Sequence, residues 1–201
     1  MNESVRAEIA FFLGHTENQL LAMLGAYDKR QLEFVGLLPK RLRPGNLWVQ
    51  LYEPLLYGKL CVQKDLCAKL SLASTDDVSL TLHLADIVCS LLWKLPPFMV
   101  AAVLVRIGIT RFCHCGAPLQ KARRFSILSH GAQLYQALSD KLAGLETRDK
   151  PADDVQDSIT LLRQQHEAVY AAISALYQPE YVELLTISGV PIPSKHHPPS
   201  S

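Results

Sequence analysis

Residues 91–124 read LLWKLPPFMVAAVLVRIGITRFCHCGAPLQKARR, and this stretch decides the expected fold. Pro96 and Pro97 favour the start of a helix, because proline in the first turn lacks only an N–H that has no acceptor within the helix. The following residues are apolar on all sides through Ile109, which is typical of a buried central helix. The apolar run 96–105 has about half the length needed to cross a bilayer, and Arg106 interrupts it. The stretch therefore predicts a helical domain built around one buried helix.

The same stretch carries positive charge in a chain whose formal net charge is only +1. No carboxylate lies between Asp86 and Asp140, and the gap contains Lys94, Arg106, Arg111, Lys121, Arg123 and Arg124. From Asp140 to Glu183, nine acidic and four basic residues give a net charge of −5. Such asymmetry indicates a partner surface rather than catalytic chemistry. We expect four residues of the gap to contact an acidic partner: Arg111, Lys121, Arg123 and Arg124.

Helix signals outnumber strand signals in the N-terminal part of the chain. Thr16 with Gln19 forms a capping-box pattern ahead of an apolar run, and Asp28 with Gln31 repeats it. These two patterns predict two short helices, the second beginning at Asp28.

Two later segments are harder to interpret. The apolar spacing of residues 47–72 is helical, but Pro54 and Gly58 are expected to break or kink it into two pieces. Residues 78–84 alternate like a strand and are also spaced like a helix. The length of the pattern up to Leu95 favours the helix, and the strand stays open as an alternative.

The C-terminal third is predicted to hold the longest helix, over residues 152–177, after a linker at 146–154. Its apolar side forms a heptad seam of Val155, Ile159, Leu162, His166, Val169, Ile173 and Leu176. The seam is expected to pack on the core, to receive a partner helix or to pair with a second copy. The last residues, PIPSKHHPPSS, are predicted to be disordered.

These patterns predict a mainly α fold, a single compact multi-helix domain with a long C-terminal helix and a disordered tail. We expect a helical core domain at 1–145, a linker and long C-terminal helix packing on that core at 146–189, and the tail at 190–201. Glu3 and Glu8 near the N-terminus, without a long apolar segment, argue against a secretory signal.

The five cysteines are an odd number, and most lie in apolar contexts, so reduced thiols in a reducing cytosol are expected. Cys113, His114 and Cys115 are possible zinc ligands. However, adjacent residues project in different directions, and the chain contains no CxxC pair. We therefore expect two buried thiols beside a turn histidine, with no metal and no cofactor.

No sequence motif indicates catalysis. The chain contains no GxSxG, HExxH, Walker or GxGxxG pattern, so we expect no catalytic residues and no enzyme activity. A nucleic-acid-binding regulator using residues 106–124 is an alternative, but the pI of 7.7 and the absence of interleaved aromatic residues disfavour it. A secretion chaperone or helix-binding module using the heptad seam is the other alternative.

The segment Trp93, Lys94, Leu95, Pro96, the small-and-aliphatic helix 99–109, Arg111 and the turn near Leu119 resemble the SctK family of type III secretion sorting-platform proteins. A weaker similarity lies in Phe11, Phe12, Leu20 and Leu21. The C-terminal heptad helix and the tail have no counterpart in the family. The similarity concerns packing residues, so no partner-contact residue is carried over from it.

The resemblance implies a helical, non-enzymatic adaptor of a bacterial injectisome. Such an adaptor joins the cytoplasmic domain of an inner-membrane ring protein to the sorting-platform pod protein. It lies in the bacterial cytoplasm at the cytoplasmic face of the inner membrane, and it reaches the membrane only through its partners.

Overall fold

The computed structural model describes residues 2–35, 48, 52–70, 76–91, 96–146 and 153–192. Within these ranges the chain forms helices and no strand, which confirms the predicted fold class. The helices are α1 (Glu3–Leu13), α2 (Glu17–Val35), α3 (Glu53–Leu56), α4 (Leu66–Leu70), α5 (Asp77–Leu91), α6 (Pro97–Ile107), α7 (Ile109–Cys113), α8 (Lys121–Glu146), α9 (Asp153–Leu176) and α10 (Val182–Ile187). A π-helical segment (Tyr57–Gln63) continues α3, and a 3-10 turn (Pro179–Tyr181) precedes α10.

Helix α6 is the central buried helix that the sequence predicts. Pro96 caps it in an extended conformation and Pro97 lies in its first turn. Residues 99–104 are all buried, and α1, α2, α5 and α7 pack around them. The helix ends at Ile107, two residues before the predicted end, because Gly108 adopts a φ of 83° that stops the helix. None of the described helices combines the length and apolarity that a bilayer crossing requires.

Helices α8 and α9 form an antiparallel pair. Ser139 contacts His166, the ring of Tyr135 lies beside that of Tyr170, and Gly131 faces Ile173. The summed residue numbers of these contacts stay nearly constant, as they must when two helices run in opposite directions. Helix α8 has 26 residues and α9 has 24, so the prediction that the C-terminal helix is the longest is wrong.

The heptad seam of α9 belongs to the core. Ile159, Leu162, Val169, Ile173 and Leu176 are buried, and α9 packs against α8, α3 and the π-helical segment. The seam is therefore not an exposed groove for a partner helix. Residues 147–152 of the predicted linker and residues 193–201 of the predicted tail lie outside the described residues, whereas Val190 is buried in the core.

A close backbone contact joins the π-helical segment to α9 at Gly58. A Cβ atom at Gly58 would lie 1.7 Å from the carbonyl oxygen of Ala168 and 3.1 Å from the nitrogen of Ala172. The chain continues as a helix through Pro54 and Gly58 without the predicted break, and its hydrogen bonding changes from α to π at Tyr57. Pro54 lies in the first turn of α3, where its missing N–H costs nothing, and the chain stays helical to Gln63.

Two N-terminal predictions have different outcomes. The capping box before α2 is confirmed, because the Thr16 N–H donates to Gln19 Oε1 at 2.9 Å and the Gln19 N–H donates to Thr16 Oγ1 at 3.3 Å. The predicted helix start at Asp28 is wrong, since α2 runs without interruption from Glu17 to Val35. A second capping pattern inside a helix does not end it when the backbone can continue its own hydrogen bonds.

Residues 78–84 lie within α5, so the helical interpretation is confirmed and the strand alternative is wrong. Asp76 caps this helix, because its Oδ1 accepts from the N–H groups of Val78 and Ser79 at 3.0 Å each. The hydrogen bonds from Ser79 lower the pKa of the Asp76 carboxyl. The alternating pattern arises because α5 is buried on a broad face, where Thr81, Leu84, Ala85 and Val88 all contact the core.

The contact at Gly58 makes a testable prediction about three helical glycines. Gly58→Ala should lower the free energy of unfolding by about 3 kcal/mol or more, because two backbones must separate. Gly144→Ala places a Cβ that meets nothing within 4 Å, so it should raise stability by about 0.5–1 kcal/mol. Gly131→Ala, with its nearest contact at 3.4 Å on Ile173, should fall between them. Urea denaturation measures all three, and equal effects at Gly58 and Gly144 would contradict the close contact.

Candidate functional site

The four predicted partner-binding residues lie at the junction of α7 and α8, in different environments. Arg111 is exposed on α7, and the Lys121 side chain is 86% exposed at the start of α8. The Arg123 side chain is only 24% exposed. Arg124 is partly buried, and its Nε is a buried donor without a protein partner. The structure therefore brings Arg123 to the backbone of Arg111, and it exposes chiefly Arg111 and Lys121.

Arg123 connects three helices. Its Nε donates to Glu53 Oε1 at 2.6 Å, and its Nη1 donates to the carbonyl oxygen of Arg111 at 3.3 Å and to His114 Nε2 at 2.6 Å. Its guanidinium carbon also lies 5.3 Å from the centroid of the Phe112 ring. We call Glu53, Arg111, His114 and Arg123 the arginine cluster. Because the Arg123 side chain is partly exposed, removing either partner should cost less than the about 3–5 kcal/mol of a fully buried pair, since water screens the charge that is left.

The ion pair corrects the expectation of an unopposed basic surface. Glu53 lies 70 positions before Arg123, outside the carboxylate-free gap, and its side chain is 9% exposed. Lys121 Nζ likewise lies 4.0 Å from Glu180 Oε1. The fold therefore brings Glu53 and Glu180, which lie on either side of the carboxylate-free stretch in the sequence, to basic side chains of α8.

His114 holds an unusual backbone position within the arginine cluster. It caps α7 in the left-handed region with a φ of 54°. A guanidinium only donates hydrogen bonds, so His114 Nε2 must accept from Arg123 and the imidazole must be neutral. Burial and the neighbouring Arg123 charge lower the pKa of His114. Protonation would place two cations in contact and remove the acceptor.

Two disulfides lie directly beside the arginine cluster. Cys61 is bonded to Cys113 and Cys67 to Cys115, with Cα–Cα distances of 5.2 and 5.3 Å. The prediction of buried thiols at 113 and 115 is wrong, and Cys89 is a free, exposed cysteine. The cysteines therefore do not indicate a reducing compartment, because disulfides persist mainly in oxidising surroundings.

The two disulfides are interleaved. Either one alone closes a loop of about 50 residues, since the bonded positions are 52 and 48 apart. With one bond present, the other closes only a ring of about ten residues, because Cys61 is six positions from Cys67 and Cys113 two from Cys115. Both bonds attach the same short segment to the end of the π-helical segment and to α4.

Exposed apolar side chains lie on α8 and along the α10 region. Phe125, Val182, Ile187 and Ile192 are exposed by 50%, 37%, 79% and 46%. The Phe125 ring lies 6.3 Å from the ring of Tyr181, which directly precedes α10. We call these four residues the α10 surface. No sequence pattern predicts α10, because the helix has only six residues and no side-chain cap.

A separate polar group lies between α8 and α9. His166 Nε2 is 3.0 Å from Ser139 Oγ, and its ring centroid is 4.0 Å from that of Tyr135. Burial lowers the pKa of His166 and raises that of Tyr135. His166 is half-buried at the edge of the seam, so its polar character is satisfied within the chain. In the described ranges, no group of three or more His, Cys, Asp or Glu side chains is arranged to hold a metal ion.

Comparison with known proteins yields no relative of this chain. No family model matches it, and no characterised protein and no solved structure is significantly similar. The class of the protein therefore rests on its helical fold, and any function rests on the chemistry of its surface.

The interleaved disulfides should stabilise the chain in a non-additive way. Removing either bond leaves the other closing a long loop, so Cys61→Ala with Cys113→Ala should cost about 3 kcal/mol, as should Cys67→Ala with Cys115→Ala. Removing both bonds should cost about 7 kcal/mol, more than the sum of the two. Guanidinium denaturation measures the effect, with Cys89→Ser as the neutral control. Simple additivity would show that the two bonds constrain separate loops.

The arginine cluster should make stability depend on pH. Because the pKa of His114 is lowered in the folded state, its contribution to stability is complete above the ordinary histidine pKa of about 6.5 and is lost as pH falls from there through the folded pKa. His114→Asn removes the imidazole and tolerates the left-handed backbone. The fall in urea midpoint from pH 7.5 to pH 5 should therefore be smaller in His114→Asn than in the native chain. The exposed His83→Asn is the control, and an unchanged fall in His114→Asn would contradict the role of this group.

Proposed function

We propose that the protein is a non-enzymatic adaptor that binds partner proteins through the α10 surface and the exposed bases Arg111 and Lys121. The observation that carries the proposal is the half-exposed Phe125 ring, which lies beside Tyr181 at the start of α10 and one helical turn along α8 from the exposed Lys121. Protein interfaces combine an apolar centre with a charged rim, and exposed apolar side chains that cluster mark such places. The apolar part would supply affinity, and the bases would steer an acidic partner.

The four predicted basic residues take different roles in this proposal. Arg111 and Lys121 reach solvent and are proposed as rim contacts. Arg123 is engaged by Glu53 and His114, so we propose that it positions α7 against α8 beneath the surface. Arg124 contributes its partly exposed side chain at the edge.

We further propose that the adaptor belongs to a bacterial type III secretion injectisome, where it joins the cytoplasmic domain of the inner-membrane ring protein to the sorting-platform pod protein. It would act in the bacterial cytoplasm at the cytoplasmic face of the inner membrane. The resemblance of residues 93–111 to the SctK family supports this proposal. Residues 99–104 of that stretch are buried in α6, so the support concerns a shared way of packing and not a shared contact surface.

The two alternatives differ in how much support they keep. A helix-binding chaperone would need an open seam on α9, and that seam is buried. A nucleic-acid-binding regulator would use the same exposed bases, and its affinity would fall steeply with salt.

Charge reversal at the rim tests the proposal. The double change Arg111→Glu with Lys121→Glu should abolish recovery of ring and pod proteins with a tagged copy from cross-linked cells, because an acidic partner would be repelled. The circular dichroism spectrum and melting temperature should stay unchanged, since both side chains are exposed. Phe125→Ser should weaken recovery in the same way through the apolar centre.

Arg6→Glu is the control for charge reversal, because it repeats one of the two reversals at an exposed position on α1. Normal recovery of partners by the double variant would remove this surface as the docking site. Recovery of nucleic acid that nuclease abolishes, without ring or pod proteins, would favour the regulator.

A further inference from the structure

A short segment between two glycines carries one rim residue of the proposed docking surface. Gly108 and Gly116 have φ angles of 83° and 74°, values that most side chains disfavour, and they bound α7 and the turn at His114. We call residues 108–116 the α7 segment. Arg111 is exposed on it, so the position of Arg111 depends on how firmly this segment is held.

Noncovalent contacts hold the α7 segment at one side. Ile109 and Phe112 are buried, and Arg123 bonds the Arg111 carbonyl and the His114 ring. At its C-terminal end the attachment is covalent, through Cys113 and Cys115. Their bonding partners flank a turn in which Asp65 has a φ of 45°. Two short, sharply turned segments are thus joined twice within a few residues.

We propose that the two disulfides form a thiol–disulfide switch that controls docking. The oxidised pair fixes the α7 segment and Arg111 in the arrangement described above, and reduction releases the segment and weakens partner binding. Fixing a contact residue in advance raises affinity, because less conformational freedom is lost on binding. The inference rests on the proposed cytoplasmic function, since disulfides in cytosolic proteins of mesophiles are usually catalytic or redox-sensing rather than structural.

The chemistry balances with a dithiol as reductant. For each bond, the dithiol supplies two electrons and two protons, two cysteine thiols form, and the dithiol closes to its own disulfide. Reduction should follow access to the sulfur atoms. Cys61, Cys67 and Cys115 are partly exposed, whereas Cys113 is 6% exposed, so the Cys67–Cys115 bond, with two accessible cysteines, should open first.

Hydrogen exchange of the full chain tests the conformational half of the proposal. In a Cys89→Ser background, dithiothreitol should increase amide exchange in residues 109–116 at least tenfold more than in the α8–α9 contact region 131–139 and 166–173, where exchange rises only with the general loss of stability. The variant that lacks Cys67 and Cys115 through alanine changes should respond to dithiothreitol only when the Cys61–Cys113 bond opens. Unchanged exchange in 109–116, or equal loss of protection along the whole chain, would overturn the switch.

Partner capture tests the regulatory half and separates it from the proposed function. Oxidised protein should retain ring and pod proteins at least tenfold better than reduced protein, and Arg111→Glu should remove the difference. Equal retention in both states would overturn the regulation while leaving the adaptor intact. Absence of both partners in either state, together with the expected exchange result, would overturn the adaptor and leave only the conformational device supported.

The state of the cysteines in cells and the behaviour of Zn²⁺ provide two further decisive outcomes. Thiols trapped by acid and alkylated should be a mixture of free and paired forms in unstressed cells and fully paired after exposure to an oxidant such as diamide. Permanently paired cysteines would make the bonds structural and overturn the switch.

Reduced protein incubated with Zn²⁺ alone should retain no zinc after gel filtration. Stoichiometric zinc with four protected thiols would show that these cysteines are metal ligands, and it would overturn the switch.

Discussion

The backbone contact between Gly58 and Ala168 is the constraint on which the rest of the structure depends. Since no side chain separates the two backbones, the helical stretch from Glu53 to Gln63 can lie against α9 in only one way. Glu53, near its start, reaches Arg123 on α8, and Cys61, near its end, reaches Cys113 on α7. Gly58, in the middle of this helical stretch, therefore helps to position both the Glu53–Arg123 ion pair and the Cys61–Cys113 disulfide.

Two polar side chains link parts of the core that apolar packing alone would leave free to slide. Arg123 binds α8 to α3 and α7, and the buried Gln165 of α9 donates to the carbonyl oxygen of Leu91 at 2.9 Å. That carbonyl lies at the end of α5, and the last carbonyl groups of a helix have no N–H donor within the helix. Hydrogen bonds of this kind add modest net stability, but an unpaired buried group is costly, so they select one alignment of the helices.

The sequence predicts those parts of the fold that local signals determine. The prolines before α6, the capping box at Thr16 and the apolar spacing of α9 each correspond to an observed feature. The errors concern partners far apart in the chain. Neither the pairing of Cys61 with Cys113 nor that of Glu53 with Arg123 leaves a local pattern, because each depends on the three-dimensional approach of separate helices. The distribution of charge in the sequence indicates the junction of α7 and α8, but it does not distinguish the exposed Lys121 from Arg123, which is paired with Glu53.

The interleaved bonds also have a mechanical consequence. A chain pulled from its two ends would be held across Cys61 and Cys113, so the residues between them could not extend. The separation of 52 positions removes about 180 Å from the reach of the fully extended chain. In a narrow channel that admits only a single extended strand, the chain would stall where the disulfide holds two segments side by side. The oxidised protein is therefore suited to remain folded under tension and unsuited to pass through such a channel.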